Sequence, residues 1–291
     1  MKLKDFYKQH DNEINKKIVE ALSEDKITKD VTTLFVQRKI GLENVTAVLL
    51  CKEDCVLCGT DIFVKVLKAV DKRLTVTFYK KETLRIRKGE KVCKVSGSFA
   101  SIFKAERTAL NFIQRMSGVA TLTNQFVMML KYKNAKILHT RKTTPGFRVF
   151  ELAGVLAGGG NLHRTDLSSA VMLKDNHIES AGSIKKLLSK PIPKKINRRF
   201  EIEVKSLAQV KEVIQYGKGN VEIVMLDNFQ RRNLIKAISL LKANGFKIEL
   251  SGGINLKSFS QIQHKGVDYY SVGLLTHGYN SVDFSLEFNF L

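Results

Sequence analysis

The sequence has no tryptophan, only four cysteines, and far fewer acids than bases: 28 Asp plus Glu against 49 Lys plus Arg in 291 residues, a formal net charge of +21. It contains no run of 18 or more apolar residues, so no segment has the length and character of a membrane-spanning helix. Its first residues, Met1-Lys2-Leu3-Lys4-Asp5-Phe6, lack a hydrophobic signal segment, and a soluble, cytoplasmic protein is expected. Cys55-x-x-Cys58 is half of a zinc-binding pattern. No second Cys-x-x-Cys and no Cys-x-His pair follows it, and a structural zinc needs four ligands. Cys51, Cys55, Cys58 and Cys93 therefore read as buried apolar thiols in adjoining strands, and a cytoplasmic setting argues against disulfides. The excess positive charge is spread along the chain rather than held in a basic tail, and aromatics are scattered. That distribution speaks against a nucleic-acid partner and for solubility or the steering of anionic substrates.

With 44% apolar residues, the chain has material for one large or two ordinary domains. Ile14, Ile18, Ala21 and Leu22 fall on one helical face, and Asp30-Val31-Thr32-Thr33 breaks that pattern. Strand signals follow at Val45 to Cys51, Val56 to Cys58, Leu74 to Tyr79 and Val92 to Val95, with Gly59, Gly89 and Gly97 at turns and a helix over Ile62 to Val70. Glu106 to Tyr132 is the longest helical stretch, with Leu110, Ile113 and Met116 on one stripe, Arg107 near its start and an interruption expected at Ser117-Gly118. From Lys136 onward short apolar segments alternate with helical patterns. Glu203, Asp227, Ser251 and Gly273 recur at intervals of 24, 24 and 22 residues, each at the end of an apolar run. Such units give a parallel sheet with helices outside and polar groups at the C-terminal strand ends. Counting Lys136 to His139, Gly154 to Ala157 and Ala170 to Leu173 as strands too makes about seven, one short of a closed barrel. The last residues alternate, with Val282, Phe284, Leu286, Phe288 and Phe290 apolar, the mark of a half-buried strand that returns to the N-terminal sheet. The expected fold is α/β: an N-terminal α+β sandwich-like domain over residues 1–112, joined by a strand at 278–291, and an open or incomplete α/β barrel over 113–277.

Arg141, Lys142, His163, Arg164 and Lys174 lie just beyond three of these apolar segments. Gathered at one edge they would repel one another, and buried charge has to be paired. The missing partner is a polyanionic small molecule. Arginine grips a carboxylate or phosphate with two bonds and lysine acts as a point charge, so the mixed set suits a ligand carrying both groups.

Several runs carry a resemblance: Glu106-Arg107-Thr108, Ser117-Gly118-Val119-Ala120-Thr121, Arg141-Lys142-Thr143-Thr144-Pro145-Gly146, Gly158-Gly159-Gly160 with His163-Arg164, Lys174-Asp175-Asn176-His177, Glu201-Ile202-Glu203-Val204, Leu226-Asp227-Asn228-Phe229 and Ser251-Gly252-Gly253-Ile254. In this order and spacing they resemble the quinolinate phosphoribosyltransferase family over nearly the whole chain. The resemblance implies a glycosyltransferase of pyridine nucleotide biosynthesis that joins phosphoribosyl pyrophosphate to quinolinate and releases CO₂. It also implies that Arg107, Arg141, His163, Arg164 and Lys174 bind the acceptor, that Lys142 contacts the donor or the acceptor, and that Arg107 reaches into a neighbouring subunit's site. The last point makes at least a homodimer the expected assembly.

For such a transfer, Glu203 and Asp227, ending neighbouring strands, suit Mg²⁺ and the ribose hydroxyls as catalytic groups alongside Lys142. Ser251-Gly252-Gly253 and Gly273 lie in the last two strand-end loops, where barrels commonly bind phosphate, here the donor's 5-phosphate. The chain also departs from the family's pattern. Glu151-Leu152-Ala153-Gly154-Val155 replaces Glu-Lys-Tyr-Ala-Val, Leu162 replaces Asn, and Arg164-Thr165-Asp166-Leu167 replaces Arg-x-Gly-Leu. Val155 to Gly160 resembles a paralogous group associated with molybdenum transport, which raises a different acceptor as the alternative.

Overall fold

The computed structural model describes residues 1–40, 44–189, 196 and 198–289. Along the chain run α1 (Leu3–Gln9), α2 (Asp11–Glu24), α3 (Val31–Ile40), β1 (Asn44–Cys51), β2 (Cys55–Val56), α4 (Thr60–Val70), β3 (Thr75–Phe78), β4 (Arg85–Ile86), β5 (Lys91–Ser98) and α5 (Phe99–Met128). Then follow β6 (Lys136–Leu138), α6 (Arg148–Ala157), β7 (Val171–Leu173), α7 (Asp175–Ala181), α8 (Ile184–Leu188), β8 (Phe200–Val204), α9 (Leu207–Tyr216), β9 (Ile223–Asp227), α10 (Arg231–Ala243), β10 (Lys247–Ser251), α11 (Leu256–Ile262), β11 (Tyr269–Ser271), α12 (Leu274–His277) and β12 (Phe284–Asn289). None of these helices is long and apolar enough to cross a membrane.

Two compact units result. One comprises residues 1–124, 143–160 and 275–291, the other residues 125–142 and 161–274. The boundaries differ from a simple cut near residue 112, because 113–124 and 143–160 cluster with the N-terminal unit.

The N-terminal unit is built on an antiparallel sheet of order β12-β1-β5-β3. Period-two alternation buries Val45, Ala47, Leu49 and Cys51 on β1, and β12 pairs with β1 from Thr46–Asn289 to Cys51–Phe284. The C-terminus does return to the N-terminal sheet. Phe284 and Leu286 are buried there, each worth roughly 1.5–3 kcal/mol; Phe290 lies outside the described residues. Ile14, Ile18 and Leu22 on α2 and Ile62, Phe63, Val66 and Leu67 on α4 add their buried stripes. All four cysteines are buried and free, with 3.6 Å between the sulfurs of Cys51 and Cys55.

Three details of this unit correct the expectations. The break at Asp30 opens a further helix, α3, with the Asp30 carboxylate accepting the Thr33 amide at 3.0 Å as a cap. Helix α5 begins at Phe99, so Arg107 is well inside it, and it continues through Ser117-Gly118 for 30 residues. Gly118 marks a close approach instead, since a Cβ there would stand 2.2 Å from the Asn280 carbonyl oxygen. Gly154 to Ala157 is the end of helix α6, not a strand. An all-round buried apolar run looks the same in either state, and its 10-residue length decides for the helix.

The second unit is a sheet of order β6-β11-β10-β9-β8-β7, parallel at every pairing. It has six strands among the described residues, where about seven were expected. In place of the strand sought at Gly154 to Ala157, Asn161 makes a single parallel bridge to Leu138, consistent with an open barrel. Ile202, Val204, Val224, Leu226, Ile248 and Leu250 are buried and alternate with Glu201, Glu203, Met225, Asp227, Glu249 and Ser251, which share the opposite face. Buried apolar residues on α9 (Val210, Val213) and α10 (Leu234, Ala237, Ile238, Leu241) complete the unit.

Candidate active site

The C-terminal strand ends of the second unit hold nearly all the expected groups. Arg141 and Lys142 follow β6, His163 and Arg164 follow the bridged Asn161, and Lys174 follows β7. Glu203 and Asp227 lie at or near the ends of β8 and β9, Ser251-Gly252-Gly253 leaves β10, and Gly273 follows β11. Strand register links these ends: Glu203 pairs with Met225, and Asp227 pairs with Ser251. Asn228, at φ 52°, donates from its side chain to the Asp227 carboxylate at 3.0 Å. Gly252 adopts φ +96°, and a Cβ on it would stand 2.4 Å from the Asn228 side-chain oxygen. No other residue fits that turn without displacing the neighbour of Asp227.

The cations divide into paired and unpaired groups, which the sequence had treated as one set. Lys174 Nζ lies 3.0 Å from Glu203 Oε2. His163 Nε2 lies 2.9 Å from Glu201 Oε2 and 3.2 Å from Glu249 Oε2. Arg141 and Arg164, by contrast, have no carboxylate within ion-pairing distance among the described residues, and Arg164 Nε is buried without a hydrogen bond. Burial first, and then the Arg141 guanidinium, push the Arg164 guanidinium below its usual range. Two guanidiniums that disfavour each other's charge are both relieved by an anion placed between them.

The histidine was expected, but its partners Glu201 and Glu249 were not singled out. Both glutamates are wholly buried. Burial works against a charged His163, yet the hydrogen bond to Glu201 and the Glu249 carboxylate beside it more than reverse that and hold the imidazolium up to about 9. The available signal was spacing: Glu201 is two residues from Glu203 and Glu249 two from Ser251, so each shares the inward face of a strand with a site residue. Lys205 was not singled out either. It is 2.5 Å from Asp175, and that hydrogen bond first, with smaller contributions from Glu203 and Asp227, raises its ammonium above the usual range.

Arg107 is in the other unit, exposed on α5. It lines a cavity of about 500 Å³ with Lys17, Asn111, Arg115, Thr144 and Pro145. The motif from Arg141 to Gly146 is thus split. Thr144 belongs to the N-terminal unit, where its amide and hydroxyl donate to the buried Glu151 carboxylate at 3.0 and 2.7 Å. The departures over 151–160 fall on α6, where Leu152, Ala153 and Val155 are buried, and on the glycines that follow it. A Cβ at Gly158 would stand 2.4 Å from the Ala120 carbonyl oxygen. Those substitutions are packing inside the N-terminal unit.

Comparison with known proteins gives a consistent result. Residues 30–117 match the model of the quinolinate phosphoribosyl transferase N-terminal domain, and residues 119–287 match that of its C-terminal domain. The chloroplastic nicotinate-nucleotide pyrophosphorylase [carboxylating] of Arabidopsis thaliana is 38% identical over 282 residues, covering 92% of this chain and 80% of the relative. The crystal structure of NadC from Streptococcus pyogenes superposes with a TM-score of 0.88 at 35% identity, covering 98% of each chain. The nicotinate-nucleotide pyrophosphorylase from Francisella tularensis gives 0.87 at 35% identity, covering 96% of each.

Proposed function

The chain belongs to the quinolinate phosphoribosyltransferase family, and from that premise we propose how its barrel unit carries out the family's reaction. The protein is a nicotinate-nucleotide pyrophosphorylase (carboxylating), a pentosyltransferase of NAD biosynthesis. The quinolinate ring nitrogen forms a bond to C1′ of phosphoribosyl pyrophosphate as the bond from C1′ to pyrophosphate breaks. The bond from C2 to its carboxylate then breaks to release CO₂, the electron pair stays on C2 beside the positive pyridinium nitrogen, and C2 takes a proton from solvent, giving nicotinate mononucleotide.

The observation that carries the assignment of roles is the Arg141–Arg164 pair without a carboxylate. Quinolinate has two adjacent carboxylates, and Arg141, Arg164 and His163 offer fixed donors to them. Lys174 leaves Glu203 for the substrate anion, and Lys142 meets the donor or acceptor. Glu203 and Asp227 suit Mg²⁺: both offer carboxylate oxygens on adjacent strands, in the number this ion ordinarily takes from protein. When bound, Mg²⁺ offsets charge on the pyrophosphate. The two carboxylates face the ribose hydroxyls and stabilise the positive charge that grows on the sugar. The amides of Ser251, Gly252, Gly253 and Gly273 receive the 5-phosphate, with the backbone of Gly252 held in a conformation that glycine alone adopts easily. Departures from the family pattern over 151–160 leave this set intact; those at Leu162 and Thr165-Asp166 flank His163 and Arg164, so the acceptor assay decides between quinolinate and another acceptor.

Arg107 lies outside the barrel unit and, as the family resemblance implies, completes the site of a second subunit, so the active form is at least a dimer. The first experiment combines the purified protein with Mg²⁺, phosphoribosyl pyrophosphate and quinolinate. Nicotinate mononucleotide and CO₂ should form in equal amounts and only with all three present. Absence of product while the donor still binds would overturn the acceptor. Mixing inactive Arg107→Ala and Asp227→Asn proteins should restore activity through hybrid dimers; no recovery after proven subunit exchange would remove the shared site.

A further inference from the structure

We propose that Glu201 and Glu249 are positioning residues for the acceptor: together they grip His163 Nε2 and so direct the Nδ1–H of the same ring to a carboxylate of quinolinate. The proposal rests on the acceptor reading above and adds two residues to it. Glu201 is on β8 and Glu249 on β10, with β9 between them, so one imidazole spans two strands that are not neighbours. Both carboxylates are removed from water, and the His163 side chain is only 5% exposed. A buried carboxylate without a partner costs several kcal/mol. Glu201 Oε1 and both oxygens of Glu249 have no hydrogen bond, which leaves the imidazole as the group that balances Glu249 at 3.2 Å.

Nε2 lies 2.9 Å from Glu201 and 3.2 Å from Glu249, so it is the ring nitrogen that serves as their donor. Nδ1 has no hydrogen bond among the described residues and is not one of the buried orphan atoms, so it is the nitrogen left for a ligand. The charged groups around the ring are Glu201 on β8, Glu249 on β10, and Arg164 next in sequence; Arg199 lies near Glu201, and Arg141 near Arg164. Arg141, Arg164, Arg199 and the imidazolium outnumber the two acids, so the cluster carries a surplus of positive charge that a carboxylate ligand neutralises. A fixed partner on one imidazole nitrogen is the standard means of setting tautomer and orientation at the other.

The test is a double-mutant cycle on the full-length protein. Glu249→Gln should raise KM for quinolinate about ten- to a hundredfold, the range seen when the outer partner of a working imidazole is lost, with KM for phosphoribosyl pyrophosphate little changed. In a His163→Gln background the same substitution should add almost nothing, because Glu249 acts through the ring. An equal effect in both backgrounds, or none in the wild type, would overturn the proposal. Nitrogen NMR of the unsubstituted protein supplies a readout that does not depend on variants folding. Both ring nitrogens of His163 should be protonated at pH 7, and the Nδ1 signal should move on addition of quinolinate. A silent Nδ1 in a protein that binds quinolinate by calorimetry would sink the proposal while sparing the acceptor reading, and no binding by the wild type would sink the acceptor reading itself. A stoichiometric transition metal lost in Glu249→Gln would also overturn it, since a metal-bound Nε2 cannot donate.

Discussion

Glu82 in the N-terminal unit and Glu249 in the barrel unit are carboxylates drawn away from water, yet their surroundings have opposite character. Glu82 accepts from the Tyr7 hydroxyl at 3.0 Å and from the backbone at Gly59 and Thr60, where α4 begins. Burial pushes its carboxyl above the usual range, and its bonds serve the fold alone. Glu249 faces an imidazolium and retains unbonded oxygens. The contrast extends beyond the pair. Among the described residues, Arg164, Arg199, Glu201, Glu249 and Ser271 of the barrel unit have buried side-chain atoms without hydrogen bonds, whereas Thr123 is the corresponding case in the N-terminal unit. Satisfied buried polar groups hold a structure; unsatisfied ones concentrated at one place are held ready for something else.

The largest effect should come from removing charge at the strand ends proposed to face the substrate. Asp227→Asn keeps the shape and the Asn228 contact but loses the anion, and should lower kcat by about 10²–10³-fold, the usual loss when one aimed electrostatic group is removed from a transition state. The donor and Mg²⁺ dependence should worsen, while quinolinate binding by calorimetry stays near the wild-type value. Arg164→Ala should do the reverse. Loss of one charge-assisted donor is worth about 1.5–3 kcal/mol, or roughly ten- to a hundredfold in acceptor affinity. Unchanged acceptor affinity in that protein would remove Arg164 from the acceptor site and leave its buried Nε without an account.

The strand ends were legible from sequence because two rules coincide: apolar alternation marks each strand, and near-constant spacing marks the repeated unit. Glu203, Asp227 and Ser251 were located in this way. Glu201 and Glu249 were harder to see, because an acid at alternate positions of a strand normally reads as the wet face of a half-buried sheet. Only the curvature of the parallel sheet turns that face inward. Helix α6 was misread for a related reason: a run buried on every side has no polar phase from which to infer a period. The paired state of Lys174 and His163 was invisible too, since sequence shows how many cations follow the strands but not which carboxylate each one meets.

The buried imidazolium gives a smaller effect, seen in stability. His163 titrates near 9 in the folded protein and near 6.5 when unfolded. Its contribution is therefore full below pH 6.5 and is lost as pH rises through 9, amounting to roughly 3 kcal/mol across that window. Thermal midpoints measured from pH 6 to 10 should fall more steeply for the wild type than for His163→Gln. The lysines lose charge in both proteins and cancel in the difference. Parallel slopes would mean that the glutamates do not hold His163 charged.

The smallest effect probes the other half of the contrast. Glu82 has its carboxyl raised by burial, so its ionisation disfavours the folded state as pH rises past that value, and the stabilising form is the protonated one present at low pH. Glu82→Gln keeps an acceptor for the Gly59 amide and the Tyr7 hydroxyl and removes the charge. It should match or exceed the wild type at pH 7 by no more than about 1 kcal/mol, and lose that advantage near pH 4. Glu82→Ala, which leaves those donors unanswered, should cost about 1–3 kcal/mol. Neither change should alter KM for quinolinate, because every bond Glu82 makes ends within its own unit. A shift in that KM would join Glu82 to the catalytic unit and undo the division between acids that hold the fold and acids that serve the site.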